Sequence, residues 1–585
     1  MCGIVGLIGG GTTETVRRMA ETIAHRGPDG IRVESVDLRQ TKGALAHARL
    51  SIIDLEGGWQ PLHAAGCTVI GNGEIYNYKE LAEEFGLAGK LTTGSDFEPL
   101  LHLYAQQGEK VFDRLRGMYA FCLIGQDGRV WLVRDAFGIK PLYWRQTENA
   151  LQFASEPRAL LAEMKALQVE PESVQELLTF NYSLGRNTVF RGVRRLKPGE
   201  VSEVVYGRPA PRRIRSPLPR PGPIPRDEAA VLQALDRVLE DSVTVHQRSD
   251  VPYGLFLSGG VDSSVIAAMM ARLNERPVTA FTCGFETSGK TGVKDERGAA
   301  EKVARALNLD WREVTFGEDD FWRVLPEVAW ALDEPTTDYA TLPTYKLAEA
   351  AKGVLKVVLT GEGGDELFGG YGRYRRALRP ALFGGRDAGP KANSPFLADG
   401  GQAAVDRWRQ ATDPGALLGP VVGELSRLQA AQARDIAGWL PNDLLLKLDR
   451  CLMAHGMEGR TPFLDPEVAR FGFFLPDKFK VRGRLGKWVL RRWLQRHCPG
   501  AEPFARKAGF TTPVGAWIGP RVGGLGPRVA EVEGVRRFCD VNAVRAIFRE
   551  DRYAEHRWPL LFFAVWWGIH IDRLTPAEAL SRLTS

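Results

Sequence analysis

Tyr253–Leu273 reads YGLFLSGGVDSSVIAAMMARL, and its three parts decide the fold. The apolar run YGLFL has the length of a buried strand, SGG cannot continue it, and VDSSVIAAMMARL returns apolar residues at helical spacing. A strand that turns through Ser-Gly-Gly into a helix aims backbone N–H groups and the positive helix end at one point, which suits an anion. The GxxxxGK[ST] pattern of a Walker A loop is absent. A second glycine-rich turn, GEGGDELFGGY (Gly361–Tyr371), follows the apolar run LKVVLT, and VTAFTCGF (Val278–Phe285) plus a helical segment from Glu296 to Leu307 keep strand and helix alternating. The alternation predicts a parallel α/β sheet with ligands at the carboxyl ends of its strands, where Asp262, Glu362, Asp365 and Glu366 would meet. Asp262 and Asp365 could hold Mg²⁺ against pyrophosphate oxygens, although such acids also serve as plain helix N-caps.

Upstream, GRPAPRRIRSPLPRPGPIPR (Gly207–Arg226) combines prolines that block helix and ladder bonding with arginines that repel one another, so it predicts an extended linker. It separates residues 1–206 from residues 227–585. In the front part, CTVIGN (Cys67–Asn72), YAFCLI (Tyr119–Ile124) and RVWLVRD (Arg129–Asp135) lie between Gly, Asp and Asn turns, with helical windows at Thr15–Ala24 and Phe97–Gln106. This predicts β-rich layers under helical cover. Beyond about Ala430 the sequence reads as mainly helical, and no internal repeat is present.

With 585 residues, 44% of them hydrophobic and 25% charged, the chain has an ordinary globular composition. Its seven cysteines show no CxxC pair, which argues against a disulfide framework or a zinc site and for a reducing compartment. The apolar stretch WPLLFFAVWWGI (Trp558–Ile569) is shorter than the roughly 20 residues of a membrane span, and no leader pattern opens the chain. The expected location is cytoplasmic, with no membrane partner. A net charge of +6 is small for this length, and the arginine-rich stretch lacks interleaved aromatics, so no nucleic acid is expected as a partner.

The chain opens MCGIVG. Removal of Met1 would leave Cys2 with a thiol nucleophile and, on the same residue, an α-amine titrating near pH 8 that could act as base. The front part then carries HRGPDG (His25–Gly30), HARLSIID (His47–Asp54), QPL (Gln60–Leu62), NGEIYN (Asn72–Asn77), GSDFEPLL (Gly94–Leu101) and RDAFGIKPLYW (Arg134–Trp144), in that order. Together these resemble the N-terminal-nucleophile, class II glutamine amidotransferase domain, an αββα sandwich. The resemblance implies that Cys2 attacks the glutamine amide, that Asn72 and the Gly73 N–H form the oxyanion hole, that Arg49 holds the glutamine carboxylate, and that Glu74 and Asp96 hold its ammonium. Those side chains suit those charges.

SGGVDSS resembles the pyrophosphate loop of ATP pyrophosphatases. With LPNDLLLKLDR (Leu440–Arg450), MEGRTPFLD (Met457–Asp465), GKWVLRR (Gly486–Arg492) and RKAGFTTPVGAW (Arg506–Trp517), the rear part is similar to the synthetase domain of the glutamine-hydrolysing asparagine synthetase family. The implied ATP site comprises Leu257, Ser258, Gly259, Gly260, Asp262, Ser263, Ser264, Gly361 and Glu362, with Asp262 and Asp365 on Mg²⁺. Glu362 would act in amination, and Lys487 would stabilise charge on an adenylate. Lys487 reads equally as part of a solvated helix face.

The resulting expectation is a two-step enzyme. Glutamine is hydrolysed at Cys2, ammonia passes through an apolar domain interface, and a carboxylate activated by ATP as an acyl-AMP becomes an amide. Aspartate is the leading acceptor. The alternatives are a related amidotransferase acting on a sugar acid, a peptide or another carboxylate, an RNA-modifying adenylating enzyme, and a scaffold without activity. A homodimer is compatible with this reading.

Overall fold

The computed structural model of the protein describes residues 2–38, 41–148, 150–218, 221–286, 296–379, 389–415, 424–505 and 512–585. The front part folds into strands β1 (Gly3–Ile8), β2 (Ile31–Leu38), β3 (Thr41–Ala48), β4 (Leu62–Ala64), β5 (Cys67–Ile75), β6 (Gly117–Ile124), β7 (Val130–Arg134), β8 (Tyr143–Gln146), β9 (Leu151–Ala154), β10 (Arg194–Arg195), β11 (Glu200–Val205) and β12 (Arg208–Ile214). They form two antiparallel sheets, ordered β10-β8-β9-β1-β3-β2 and β12-β11-β7-β6-β5-β4.

β1 is buried along its whole length because both its faces are covered. Ile4 and Ile8 join Ile70, Leu132 and Phe153 between the sheets. Val5 and Leu7 point the other way, under Val16 and Met19 of the helix Thr13–Glu21. On the outer face of the second sheet, Val69, Tyr119 and Phe121 pack against Leu100 and Leu103 of the helix Glu98–Gln107. The four layers are those of an αββα sandwich.

The linker expected at 207–226 does not begin where the sequence suggests. Arg208–Ile214 is β12, paired antiparallel with β11 across a register shift between Val201 and Ser202. Pro209 and Pro211 fit there because β12 is the outermost strand of its sheet, where outward N–H positions lack a partner and a missing donor costs no ladder bond.

The rear part has a parallel sheet of β13 (Tyr253–Phe256), β14 (Thr279–Phe285), β15 (Asp310–Phe316), β16 (Val357–Leu359) and β17 (Glu458–Arg460), in the order β15-β14-β13-β16-β17. The chain builds outward from β13 through β14 to β15, then returns to add β16 on the other side. The carboxyl ends of β13 and β16 therefore flank a topological switch point, where α/β sheets leave a crevice. The later residues are mainly helical. Among them, RWPLLFFAVWWGIH is a core helix, Arg557–His570, with Trp566 and Trp567 almost wholly buried. No helix among the described residues is long and apolar enough to cross a membrane.

The two parts meet through more than the apolar face expected. Arg26 is fully buried and bonds Glu156 of its own domain at 2.8 Å and Asp449 of the other at 2.8 and 3.1 Å. Arg450, also buried, reaches Asp333 at 3.1 Å and Glu156 at 3.3 Å. Arg195 pairs with Glu334 across the same boundary. Burial alone would raise the Asp449 carboxyl, yet the Arg26 guanidinium beside it holds it below its usual value.

Candidate active site

Strand periodicity places the front pocket. Cys2 lies two residues before Ile4 and Asn72 two residues after Ile70, and both apolar partners point between the sheets, so Cys2 and Asn72 face each other there. The Cys2 N–H donates to Asn72 Oδ1 at 3.1 Å, and Arg26 Nε donates to the Cys2 carbonyl at 3.3 Å. Burial pushes the Cys2 thiol above its ordinary value. Asn72 is fully buried, yet its Nδ2 has no partner among the described residues. A buried donor left open beside a thiol suits an oxygen that arrives with a substrate. Gly73 has φ +133°, and a Cβ there would lie 2.0 Å from the Met118 carbonyl oxygen, so no other residue fits. Gln60 supports the strand, its Oε1 accepting the Gly71 N–H at 2.5 Å.

The rest of the front set gathers around this centre. Arg49 donates to the carbonyls of Asp54 at 2.5 Å and Leu55 at 3.0 Å, and stacks 4.8 Å from the Trp59 ring centre. Asp96 accepts the Ile75 N–H at 2.7 Å, and burial raises its carboxyl to about 7. Burial, with Asp96 adding to it, also raises Glu74 well above its ordinary range. Arg460 of β17 stands 3.2 Å from Glu74 and opposes that rise. Two buried carboxyls with raised proton affinity suit a cation, because an ammonium beside them would favour their ionised forms.

The rear crevice is built from backbone turns. After β13, Ser258 and Ser263 lock the loop: Ser263 Oγ accepts the Ser258 N–H at 3.2 Å, and Ser258 Oγ accepts the Gly260 N–H at 3.2 Å. Gly259 has φ +69°, and a Cβ would lie 2.6 Å from the Ala300 nitrogen. The helix Val261–Leu273 starts here, with Ser264 Oγ buried and without a partner among the described residues. The turn after β16 packs directly on it, since a Cβ on Gly361 or Gly364 would meet the Asp262 side chain at 2.9 or 2.6 Å. Lys487 joins them. Its Nζ bonds Asp262 and lies 2.7 Å from Asp365 Oδ1. Burial opposes its charge, but those two carboxylates keep it above its usual value. Lys487 is thus an almost fully buried member of the cluster rather than a solvated helix face. Leu257 stands apart from the set: its side chain is in the core, and its N–H and carbonyl bond Phe281 and Thr282. Arg506–Thr511 of the RKAGFTTPVGAW motif lie outside the described residues.

Glu362 is raised by burial, with Lys447 opposing that rise and Asp338, Asp365 and Asp262 adding to it. Lys447 was not singled out from sequence. Its ammonium is buried and pairs with Asp338 at 3.0 Å beside Asp443, which burial lifts to about 7. The signal lay in LLLKL, a lone charge within an apolar helical run. The helix Leu445–Met453 that carries Lys447 also carries Asp449, so one helix faces Glu362 on one side and, through Arg26, Cys2 on the other. Among the described residues no group of three or more His, Cys, Asp or Glu has a metal-holding arrangement. Asp262 and Asp365 nevertheless converge on one cation, Lys487, and a carboxylate pair completed by phosphate oxygens is how Mg²⁺ is commonly held.

Comparison with known proteins agrees with this two-part organisation. Residues 1–213 match the family model for a glutamine amidotransferase domain, and residues 234–568 that for asparagine synthase. Asparagine synthetase [glutamine-hydrolyzing] 1 of Bacillus subtilis is 29% identical over 99% of both chains. A putative asparagine synthetase [glutamine-hydrolyzing] of Mycobacterium bovis is 32% identical over 98% of both. Amidase chry2 of Gibberella zeae is 27% identical over 87% of this chain and 85% of its own. With both domain families matched in order, and relatives aligned almost from end to end, the chain belongs to the glutamine-hydrolysing asparagine synthetase family.

Proposed function

We propose that the protein makes asparagine from aspartate, ATP and glutamine. The observation that carries this reading is the single helix Leu445–Met453, which links a thiol pocket to an acid-lined ATP crevice. In the front pocket, Arg49 takes the glutamine carboxylate and Glu74 with Asp96 its ammonium. The Cys2 thiolate attacks the side-chain amide carbon, its proton passing to the α-amine that loss of Met1 frees. Asn72 Nδ2 and the Gly73 N–H receive the developing oxyanion, ammonia leaves, and water releases glutamate from the thioester.

In the rear crevice, the Ser258–Ser264 loop receives the ATP phosphates. Asp262 and Asp365 would hold Mg²⁺, which supplies charge neutralisation at the phosphates. The acceptor carboxylate attacks the α-phosphorus, the bond to pyrophosphate breaks, and an acyl-AMP results. Lys487 balances charge on the adenylate. Ammonia then attacks the acyl carbon, AMP leaves, and Glu362, its proton affinity raised by burial, takes the proton that ammonia loses. Lys447 among Asp338, Asp443 and Glu362 puts both signs of charge beside the acceptor position, as an amino acid such as aspartate would need.

A second reading, in which another carboxylate is amidated, stays in play because one relative of similar length, Amidase chry2, is not named as an asparagine synthetase. One assay separates the two. Pyrophosphate release is measured with ATP, Mg²⁺ and ammonium over aspartate, glutamate, uronic acids and short peptides. Aspartate should yield AMP, pyrophosphate and asparagine in equal amounts. Release only with another acid would leave the two-site scheme and remove asparagine from it, whereas ADP as product would exclude the acyl-AMP.

A further inference from the structure

The front pocket is held in part by the rear domain. Asp250 lies in the short segment between the helix Glu228–His246 and β13. Its N–H donates to the Ile52 carbonyl at 2.9 Å, and its Oδ2 accepts the Asp54 N–H at 2.8 Å. Asp54 is the point on which the pocket turns. It sits at φ +52°, a left-handed conformation that aspartate tolerates but that must be held in place. Its carboxylate accepts the N–H groups of Gly57 at 2.9 Å and Gly94 at 2.8 Å, and its carbonyl accepts Arg49 Nη2 at 2.5 Å. One residue therefore fixes the Arg49 guanidinium and, through Gly94, the turn that carries Asp96 two positions on.

We propose that Asp250 is a positioning residue for glutamine, a rear-domain carboxylate that holds Asp54 in the conformation from which Arg49 is aimed. The proposal rests on the reading of Arg49 as the holder of the glutamine carboxylate. Without Asp250, Asp54 relaxes and Arg49 loses a fixed acceptor. Cys2 and Asn72 are set by β1 and β5 and stay in place. Affinity for glutamine falls while the chemical step does not, and the ATP crevice is untouched.

Glutamine hydrolysis and ammonium-dependent amide synthesis, measured on the full chain of wild type, Asp250→Ala and Asp250→Asn, test this. Asp250→Ala should raise the glutamine KM about tenfold, the weight of one charge-assisted hydrogen bond. Its kcat should stay within about twofold, and synthesis from ammonium should be unchanged. Asp250→Asn keeps an acceptor oxygen and should bring KM back to within about threefold of wild type. An unchanged glutamine KM in Asp250→Ala overturns the proposal, and so does an equal fall of both activities, which marks a residue that only supports the fold. Wild type without saturable glutamine hydrolysis would instead overturn the front-pocket reading and carry the proposal down with it.

Discussion

The two sites handle their charges in opposite ways. In the rear crevice, Lys487 already lies against Asp262 and Asp365, so the cluster compensates itself before any ligand arrives. In the front pocket, burial instead raises the proton affinity of Asp96 and Glu74, and Arg460 offers Glu74 a partial counter-charge. The difference follows from the elements that carry them. Glycine-rich turns bring three distant segments within ion-pair reach. In the front pocket, Glu74 is fixed by the register of β5, and Asp96 is tied into the turn before the helix Glu98–Gln107 by the Ile75 N–H. The Lys487 cluster therefore carries its compensating charge built in, whereas the front pair leaves most of its own to an arriving cation.

The sharpest way to break this comparison is Cys2→Ala, which should lower glutamine hydrolysis by about 10⁴-fold or more and leave synthesis from ammonium largely intact. Residual hydrolysis near the wild-type rate would remove Cys2 from the chemistry. Lys487→Ala should act on the other side alone, costing amide synthesis about 10²–10³-fold while glutamine hydrolysis without ATP persists. Lys487→Arg should fail to restore it, because a planar fork cannot replace a point charge between two carboxylates. Equal rates for wild type and Lys487→Ala in pyrophosphate release would contradict the cluster's role.

The boundary between the sites gives the next test. Arg450→Ala leaves Glu156 and Asp333 buried without one of their cations and should destabilise the fold by about 3–5 kcal/mol, read from denaturant unfolding. Both activities should then fail together on heating, in contrast to the two selective variants. The smallest effect is the pH dependence. Asp96, near pKa 7 when empty, must be ionised to receive an ammonium. As pH falls below about 7, the glutamine KM should rise by up to about tenfold per unit. A flat glutamine KM from pH 7.5 to 5.5 would mean that Asp96 does not carry the ammonium.

What could be read from sequence was what repeats locally. The strand–turn–helix of YGLFLSGGVDSS and its counterpart GEGGDELF announced a parallel sheet, because each signal fits within about a dozen residues. Cys2 and Asn72 were legible through family motifs, and the structure adds the 3.1 Å contact that joins them. Lys447, Asp338 and Arg460 were not, because their roles depend on partners 100 or more residues away, as in the Lys447–Asp338 pair. The strand β12 was missed for a different reason. Its prolines argue against a central ladder, and nothing local reveals that it lies at a sheet edge. The interface was expected to be apolar, and its buried charges were not legible, since Arg26 and Arg450 look like surface residues until the partner domain covers them.

That covering has a consequence for biosynthesis. Arg26 and Glu156 emerge from the ribosome with the front domain, but Asp449 and Arg450 follow more than 200 residues after the last front-domain strand, β12, ends at Ile214. At roughly 5–20 residues per second, the newborn front domain waits on the order of tens of seconds with these charges still in water. During that interval hydration keeps its mating face from sticking to other chains, and the same face becomes dry only when the second domain folds down over it.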